Sequence, residues 1–231
     1  MKTINLGGKD SEQLFLYHSQ FKSSIDRNVM ISICPTETNP SSDLPNLISR
    51  HKGRYGFVSL FLRPNHKILD FPCGSGYGSS VLLNINRGFK YEGRDINRYV
   101  IEYANYLYKD KDIKFKKGDL RHPVPTKTKY NVIACLEGLE HIESKYQLNL
   151  IKYFYKHLVK NGILIISSPG TCNKQSGKSL INPYHLCELT QNDFYNLLES
   201  VFTLKNVEVI SLKEKLDDGQ IHNCFYGVCH K

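Results

Sequence analysis

The sequence predicts a doubly wound α/β domain, a mostly parallel sheet with helices on both faces. Three observations carry that prediction. From about residue 48, short apolar runs alternate with segments of helical periodicity. One run, Lys67-Ile68-Leu69-Asp70-Phe71, passes straight into the glycine-rich turn Pro72-Cys73-Gly74-Ser75-Gly76-Tyr77-Gly78. Acidic residues then mark the ends of four successive runs: Asp70, Asp95, Asp119 and Glu137. Ligands of an open parallel sheet bind beyond the carboxyl ends of its strands, so a site is expected where these four residues stand.

The elements follow in order. Residues 1–47 are polar and broken by Pro35, Pro40 and Pro45, which reads as an extension or lid over the domain formed by 48–231. A helix is expected over 47–62, a strand over 67–71 and a helix over 79–86. Next come a strand over 91–95, a helix over 98–108 and strands over 113–117 and 130–136. A helix over about 145–158 leads to a strand over 162–167. A turn-rich segment from Pro169 to Pro183 precedes a helix over 191–201, which Thr190 and Asp193 can start as a variant capping box. Two closing strands are expected near 205–211 and 222–228.

Length and composition narrow the function classes. With 231 residues the chain can build one α/β domain of ordinary core size and hardly two. Its 40% hydrophobic and 23% charged content is that of a globular protein. No apolar run approaches the ~20 residues that span a bilayer, and the start Met1-Lys2-Thr3-Ile4-Asn5 lacks the apolar block of a signal peptide. Seven scattered cysteines without a Cys-x-x-Cys pair argue against a disulfide framework or a zinc ribbon, so a cytoplasmic location is expected. The net charge of +9 would favour an anionic partner if it were clustered, but only Lys109, Lys111, Lys114, Lys116 and Lys117 form a dense group.

The glycine turn implies a bound cofactor. Glycines bring the backbone close to a ligand, and the helix that follows offers its amino end. A dinucleotide fingerprint needs a third glycine at position 79, which is Ser, so NAD fits poorly. Gly74, Gly76 and Gly78 behind Asp70 resemble instead motif I of the class I S-adenosylmethionine (SAM) dependent methyltransferases, with Pro72 in place of the usual first glycine. That resemblance implies seven strands with the last antiparallel. It also implies a cofactor site formed by Asp70, Cys73, Gly74, Gly76, Tyr77, Asp95, Ile96, Asp119, Leu120 and Leu136. Asp95 would accept hydrogen bonds from a ribose diol, and Asp119 would read the adenine amino group.

The segment Glu137-Gly138-Leu139-Glu140-His141 resembles motif IV of that family in its Glu-x-x-Glu-His form. If a helical turn starts here, Glu137, Glu140 and His141 share one face. With His185, from Asn182-Pro183-Tyr184-His185-Leu186-Cys187-Glu188, they could hold a divalent metal ion such as Mg²⁺, as a similar set does in small-RNA terminal 2′-O-methyltransferases. His141, His185 and Glu137 are the candidate catalytic residues, an imidazole being the side chain suited to deprotonate a hydroxyl at neutral pH. His51-Lys52-Gly53-Arg54-Tyr55 resembles a His-x-x-Arg-Tyr helix found in methyltransferases of sugar and cell-surface clusters. The expected acceptor is therefore a hydroxyl, or less readily an amine, of a small molecule or glycan. Nucleic acid is the alternative acceptor, and a nonenzymatic SAM-binding partner protein is the other class.

Overall fold

The computed structural model describes residues 44–215, apart from 109, and 221–231. The lid expected over 1–47 falls almost wholly outside them. The chain opens with helix α1 (Leu44–Ser59), then β1 (Lys67–Asp70), α2 (Tyr77–Ile85), β2 (Lys90–Asp95), α3 (Arg98–Leu107) and β3 (Ile113–Lys117). It continues through β4 (Tyr130–Leu136), a 3₁₀ turn (Leu139–His141), α4 (Ser144–His157), β5 (Leu158–Pro169), α5 (Gln191–Phe202), β6 (Val207–Lys215) and β7 (Ile221–His230). The seven strands lie in the order β3-β2-β1-β4-β5-β7-β6. β1 to β5 pair in parallel, and β7 runs antiparallel between β5 and β6.

Strand alternation explains the two helical layers. Ile68, Val132, Ala134, Leu136 and Ile165 face one side, where they pack with Tyr55 and Val58 of α1, Leu82 of α2 and Ile101 and Ala104 of α3. Leu69, Ile133, Cys135, Leu164 and Ile166 face the other, against Leu150 and Phe154 of α4 and Phe194 and Leu198 of α5. Asn97 starts α3 by accepting from the amides of Tyr99 and Val100. Thr190 starts α5 by accepting from the amide of Asp193 at 3.2 Å. The amide of Thr190 donates to Ser176 Oγ rather than back to Asp193, so only half of the expected capping box forms.

β5 begins at Leu158, four residues before the expected start. Tyr130 pairs with Leu158 but Val132 pairs with Ile163, so the strand carries an irregularity that Asn161, at φ 62°, and Gly162 accommodate. Six described cysteines are free thiols, five of them buried. No described helix is long and apolar enough to cross a membrane.

Candidate active site

The glycine turn is held from below and from the side. The Cys73 amide donates to the Arg94 carbonyl at 2.8 Å, and the Gly76 amide to the Cys73 carbonyl at 3.0 Å. Gly76 caps α2 at φ 81°, and a Cβ there would lie 2.6 Å from Cε1 of Phe115, so both backbone and space require glycine. Asp95 ties the turn to the end of β2: Oδ2 accepts from the Gly74 amide at 3.1 Å and Oδ1 from the Asn97 amide at 3.0 Å. A carboxylate accepts about four hydrogen bonds, so Asp95 keeps capacity for a diol. Burial raises its pKa while the amides of Asn97 and Gly74 oppose the rise. Ile96, next in sequence, is 49% exposed, an apolar side chain open to a ligand. Leu120 and Leu136 are buried nearby in sequence from the two polar strand ends, and Tyr77 stacks edge-on to Tyr55 at 5.2 Å.

Asp70 occupies a different setting from the other acidic strand ends. Two residues beyond Ile68, it shares the face covered by α1 and is 0% exposed. Its Oδ2 accepts from the Tyr55 hydroxyl at 2.8 Å and from the Tyr91 hydroxyl. Oδ1 has no hydrogen-bond partner among the described residues. Burial pushes the carboxyl up to about 7 despite both tyrosines. A carboxyl that favours its proton in the folded chain stabilises the fold fully below its ordinary pKa, and that stability is lost as pH rises through the folded value. The stability of the wild type relative to Asp70→Asn is therefore expected to decline between about pH 4 and about pH 7, as read by urea unfolding of both proteins. A constant difference would mean that Asp70 ionises as readily folded as unfolded.

Asp119 stands after β3, with its carboxylate gripped by the Arg121 guanidinium at 2.8–3.2 Å and its Oδ1 also accepting from the Arg121 amide. Burial is outweighed by Arg121, which holds the carboxyl below its usual range. The adenine-reading role would thus share Asp119 with Arg121.

The segment after β4 corrects one expectation. Glu137, Glu140 and His141 do not present one helical face, because Glu137 takes a left-handed backbone at φ 51° and only Leu139–His141 form a short 3₁₀ turn. Gly138 passes so close to Pro72 that a Cβ would lie 2.3 Å from its Cδ. Glu137 is sent toward α1, where Oε2 pairs with Nη2 of Arg54 at 3.1 Å, and Oε1 accepts from Ser167 Oγ at 2.7 Å and from the Cys224 thiol. Arg54, 5% exposed, also donates from Nε to the Tyr226 hydroxyl at 3.1 Å. Burial works against the Glu137 carboxylate, yet Arg54 and Ser167 hold its pKa below the ordinary value.

Glu140, His141 and His185 are the group that comes together, each offering a ligand atom within 4.8 Å of the others; Glu137 is outside this set. Glu140 is 1% exposed, and burial with the neighbouring Glu137 charge drives its pKa upward. The two imidazoles meet edge to face with centroids 5.0 Å apart. His141 Nδ1 lies 3.1 Å from the Tyr184 carbonyl, which only accepts, so that nitrogen carries a proton, and Nε2 lies 3.8 Å from Glu140 Oε1. His185 Nδ1 lies 2.7 Å from Glu188 Oε1. The sequence does not single out Glu188, Arg54, Ser167 and Tyr226 as site residues: Glu188 meets His185 within an irregular segment, Ser167 is a neutral strand end, and Arg54 and Tyr226 reach the site through tertiary contact. Only the resemblance of the Arg54-Tyr55 segment hinted at one of them.

Strand order, glycine turn and acidic strand ends together match one family, and a sequence profile of the methyltransferase domain fits residues 43–204. The chain belongs to that family. Its architecture is that of the class I SAM-dependent methyltransferases. The N-methyltransferase NodS of Bradyrhizobium japonicum, solved with S-adenosylhomocysteine, superposes with a TM-score of 0.63 at 14% identity, covering 89% of this chain and 97% of that one. A SAM-dependent methyltransferase of Methanosarcina mazei gives 0.62 at 16% identity, over 76% and 96%. In sequence, a probable SAM-dependent methyltransferase of Mycolicibacterium smegmatis is 24% identical over 58% of this chain and 50% of its own length. A ubiquinone biosynthesis O-methyltransferase of Rickettsia typhi is 32% identical over 44% and 40%. The chain thus spans half or less of the length of these curated relatives. Its residues suit the cofactor: Asp95 has accepting capacity to spare, Ile96 offers an apolar surface, and the turn opens onto the amino end of α2.

Proposed function

We propose that the protein transfers the methyl group of SAM to a hydroxyl, less readily an amine, of a small-molecule or glycan acceptor. The observation that carries this reading is the imidazole pair, His141 just after β4 and His185 in the segment between β5 and α5, whose rings meet with centroids 5.0 Å apart. SAM, consumed in each turnover, would supply a methyl group already activated by a positively charged sulfur. The protein's task is then alignment, exclusion of water and removal of one proton. An acceptor hydroxyl gives its proton to an imidazole Nε2 while its oxygen forms the bond to the methyl carbon. The carbon–sulfur electron pair stays on sulfur, and the product is S-adenosylhomocysteine. Gly74, Gly76, Asp95, Ile96 and Asp119 hold the cofactor in this reading, with Glu137 fixing Arg54 behind the site. The O-methyltransferase name of the Rickettsia relative supports an oxygen acceptor, while that of NodS supports nitrogen.

The test presents labelled SAM with catechols, free and linked sugars, amines and short RNA, and follows S-adenosylhomocysteine. Release with a hydroxylated small molecule is expected. Release with RNA alone would move the assignment to a nucleic-acid 2′-O-methyltransferase, and cofactor binding without release from any acceptor would favour a nonenzymatic partner role.

A divalent ion is the second reading, favoured by the grouping of Glu140, His141 and His185. Two imidazoles and one carboxylate suit a transition ion such as Zn²⁺ or Mn²⁺ better than Mg²⁺, a hard ion that takes oxygen ligands. That reading expects about one equivalent of Zn²⁺ or Mn²⁺ to bind in a titration, and none to bind after His141→Ala and His185→Ala are combined. Equal uptake by both proteins would remove it.

A further inference from the structure

Beyond the imidazole itself, the segment that carries His185 is built to decide where its proton sits. We infer that Glu188 and Asn182 are positioning residues that fix the tautomer of His185. Glu188 accepts the Nδ1 proton, and Asn182 occupies the Nε2 lone pair until the acceptor hydroxyl takes its place. The inference rests on the reading of His185 as a base for its use in catalysis, but the geometry stands apart from that reading.

Glu188 Oε1 lies 2.7 Å from Nδ1, with the two side chains only 14% and 8% exposed for His185 and Glu188. A carboxylate is an acceptor, so this contact places the ring proton on Nδ1. On the opposite side, Asn182 presents Nδ2 to Nε2 at 2.8 Å. The orientation of that amide is set by its own oxygen, which accepts from the Tyr184 amide at 3.0 Å. An amide nitrogen only donates, so Nε2 must be the accepting nitrogen. Two contacts on opposite edges of the ring therefore demand the same tautomer, the one with its basic lone pair on Nε2.

The segment around the ring is tied by backbone hydrogen bonds. The Glu188 amide donates to the Gly177 carbonyl at 2.8 Å, and the Gly177 amide donates back at 2.9 Å. The amides of Leu186 and Cys187 both donate to the Glu140 carbonyl, at 2.7 and 3.1 Å, and the His185 amide donates to the Asn182 carbonyl at 3.1 Å. Ser179 Oγ accepts from the Ile181 and Asn182 amides. Among the described residues, the charged and titratable groups that face His185 are Glu188 from its own segment, Glu137 and Glu140 from the end of β4, and the His141 ring. A neutral ring held this way cannot turn its protonated nitrogen toward the acceptor, which would leave it unable to take a proton. The Asn182 amide is a replaceable neutral donor, and an incoming hydroxyl can substitute one hydrogen bond for another at Nε2.

Nuclear magnetic resonance of protein labelled with ¹⁵N at histidine, saturated with S-adenosylhomocysteine in alkaline buffer, tests this without an acceptor. His185→Gln identifies the signals of the ring. The wild type is expected to show a protonated Nδ1, an unprotonated Nε2 and an Nδ1 proton far downfield. Glu188→Ala should abolish the downfield proton. Glu188→Gln, which keeps an oxygen acceptor and the size of the side chain, should retain it at a smaller downfield shift. Asn182→Ala should leave it in place and move only the Nε2 signal. Cofactor-product affinity of Glu188→Gln, measured by calorimetry, should stay within about 2-fold of wild type, as for a residue that acts through a ring rather than on the ligand. An Nε2-protonated ring in the wild type, or a downfield proton unchanged in Glu188→Ala, overturns the inference. Loss of binding in Glu188→Gln also overturns it. If instead His185→Ala turns over as fast as the wild type while the spectral pattern holds, the reading of His185 as a base fails and the positioning of its ring stands.

Discussion

Arg54→Ala is expected to destabilise the protein by about 3 kcal/mol, at the lower end of what breaking a buried ion pair costs. Arg54 is 5% exposed, and its guanidinium joins Glu137 after β4 to Tyr226 on β7, so one side chain of α1 spans the strand ends. Truncation leaves the half-buried Glu137 carboxylate with Ser167 and Cys224 but without its countercharge, which the buried Arg54 supplies from α1. Changing Glu137 to Gln in the same chain removes the stranded charge. The double variant should therefore be more stable than Arg54→Ala alone, a non-additivity that urea unfolding of the four proteins of the cycle measures directly. Strict additivity would show that the pair does not couple.

His185→Ala and His141→Ala should each leave S-adenosylhomocysteine binding near wild type, and loss of the base should lower turnover of a hydroxyl acceptor by about 10²–10⁴-fold. The effect should fall on kcat at saturating cofactor, since a base acts on the reacting proton and not on cofactor affinity. An amine acceptor that reaches the enzyme already neutral should be affected far less. Unchanged turnover in both variants would exclude the two imidazoles as bases.

The seven strands and five helices of the described residues were legible because strand alternation and helical periodicity are local signals. Ile68 and Leu69 on opposite faces, and the apolar run from Val132 to Leu136, needed no distant residue to be read. The parallel order was implied by strand-helix-strand spacing, and the antiparallel β7 by family resemblance. What local pattern could not supply was the set of partners. Asp70 reads as one more acidic strand end, but Tyr55 from α1 and Tyr91 from β2 close over it. Glu137 reads as the first residue of a helical turn, but a left-handed backbone turns it to Arg54, 83 positions earlier (137 − 54). Glu188 lies three residues after His185 in an irregular segment, where no periodicity announces that the two side chains meet. β5 starts before the expected position because the strand runs through the left-handed Asn161 and Gly162 as an irregularity.

The central claim is that the turn around Gly74 and the carboxylate of Asp95 bind an adenosyl sulfonium and its demethylated product. Titration calorimetry with S-adenosylhomocysteine on folded protein tests it most directly. A saturable heat for about one site per chain is expected, abolished or much weakened in Asp95→Ala, whose fold should persist. Well-folded wild-type protein that gives no heat with S-adenosylhomocysteine or with SAM would contradict it.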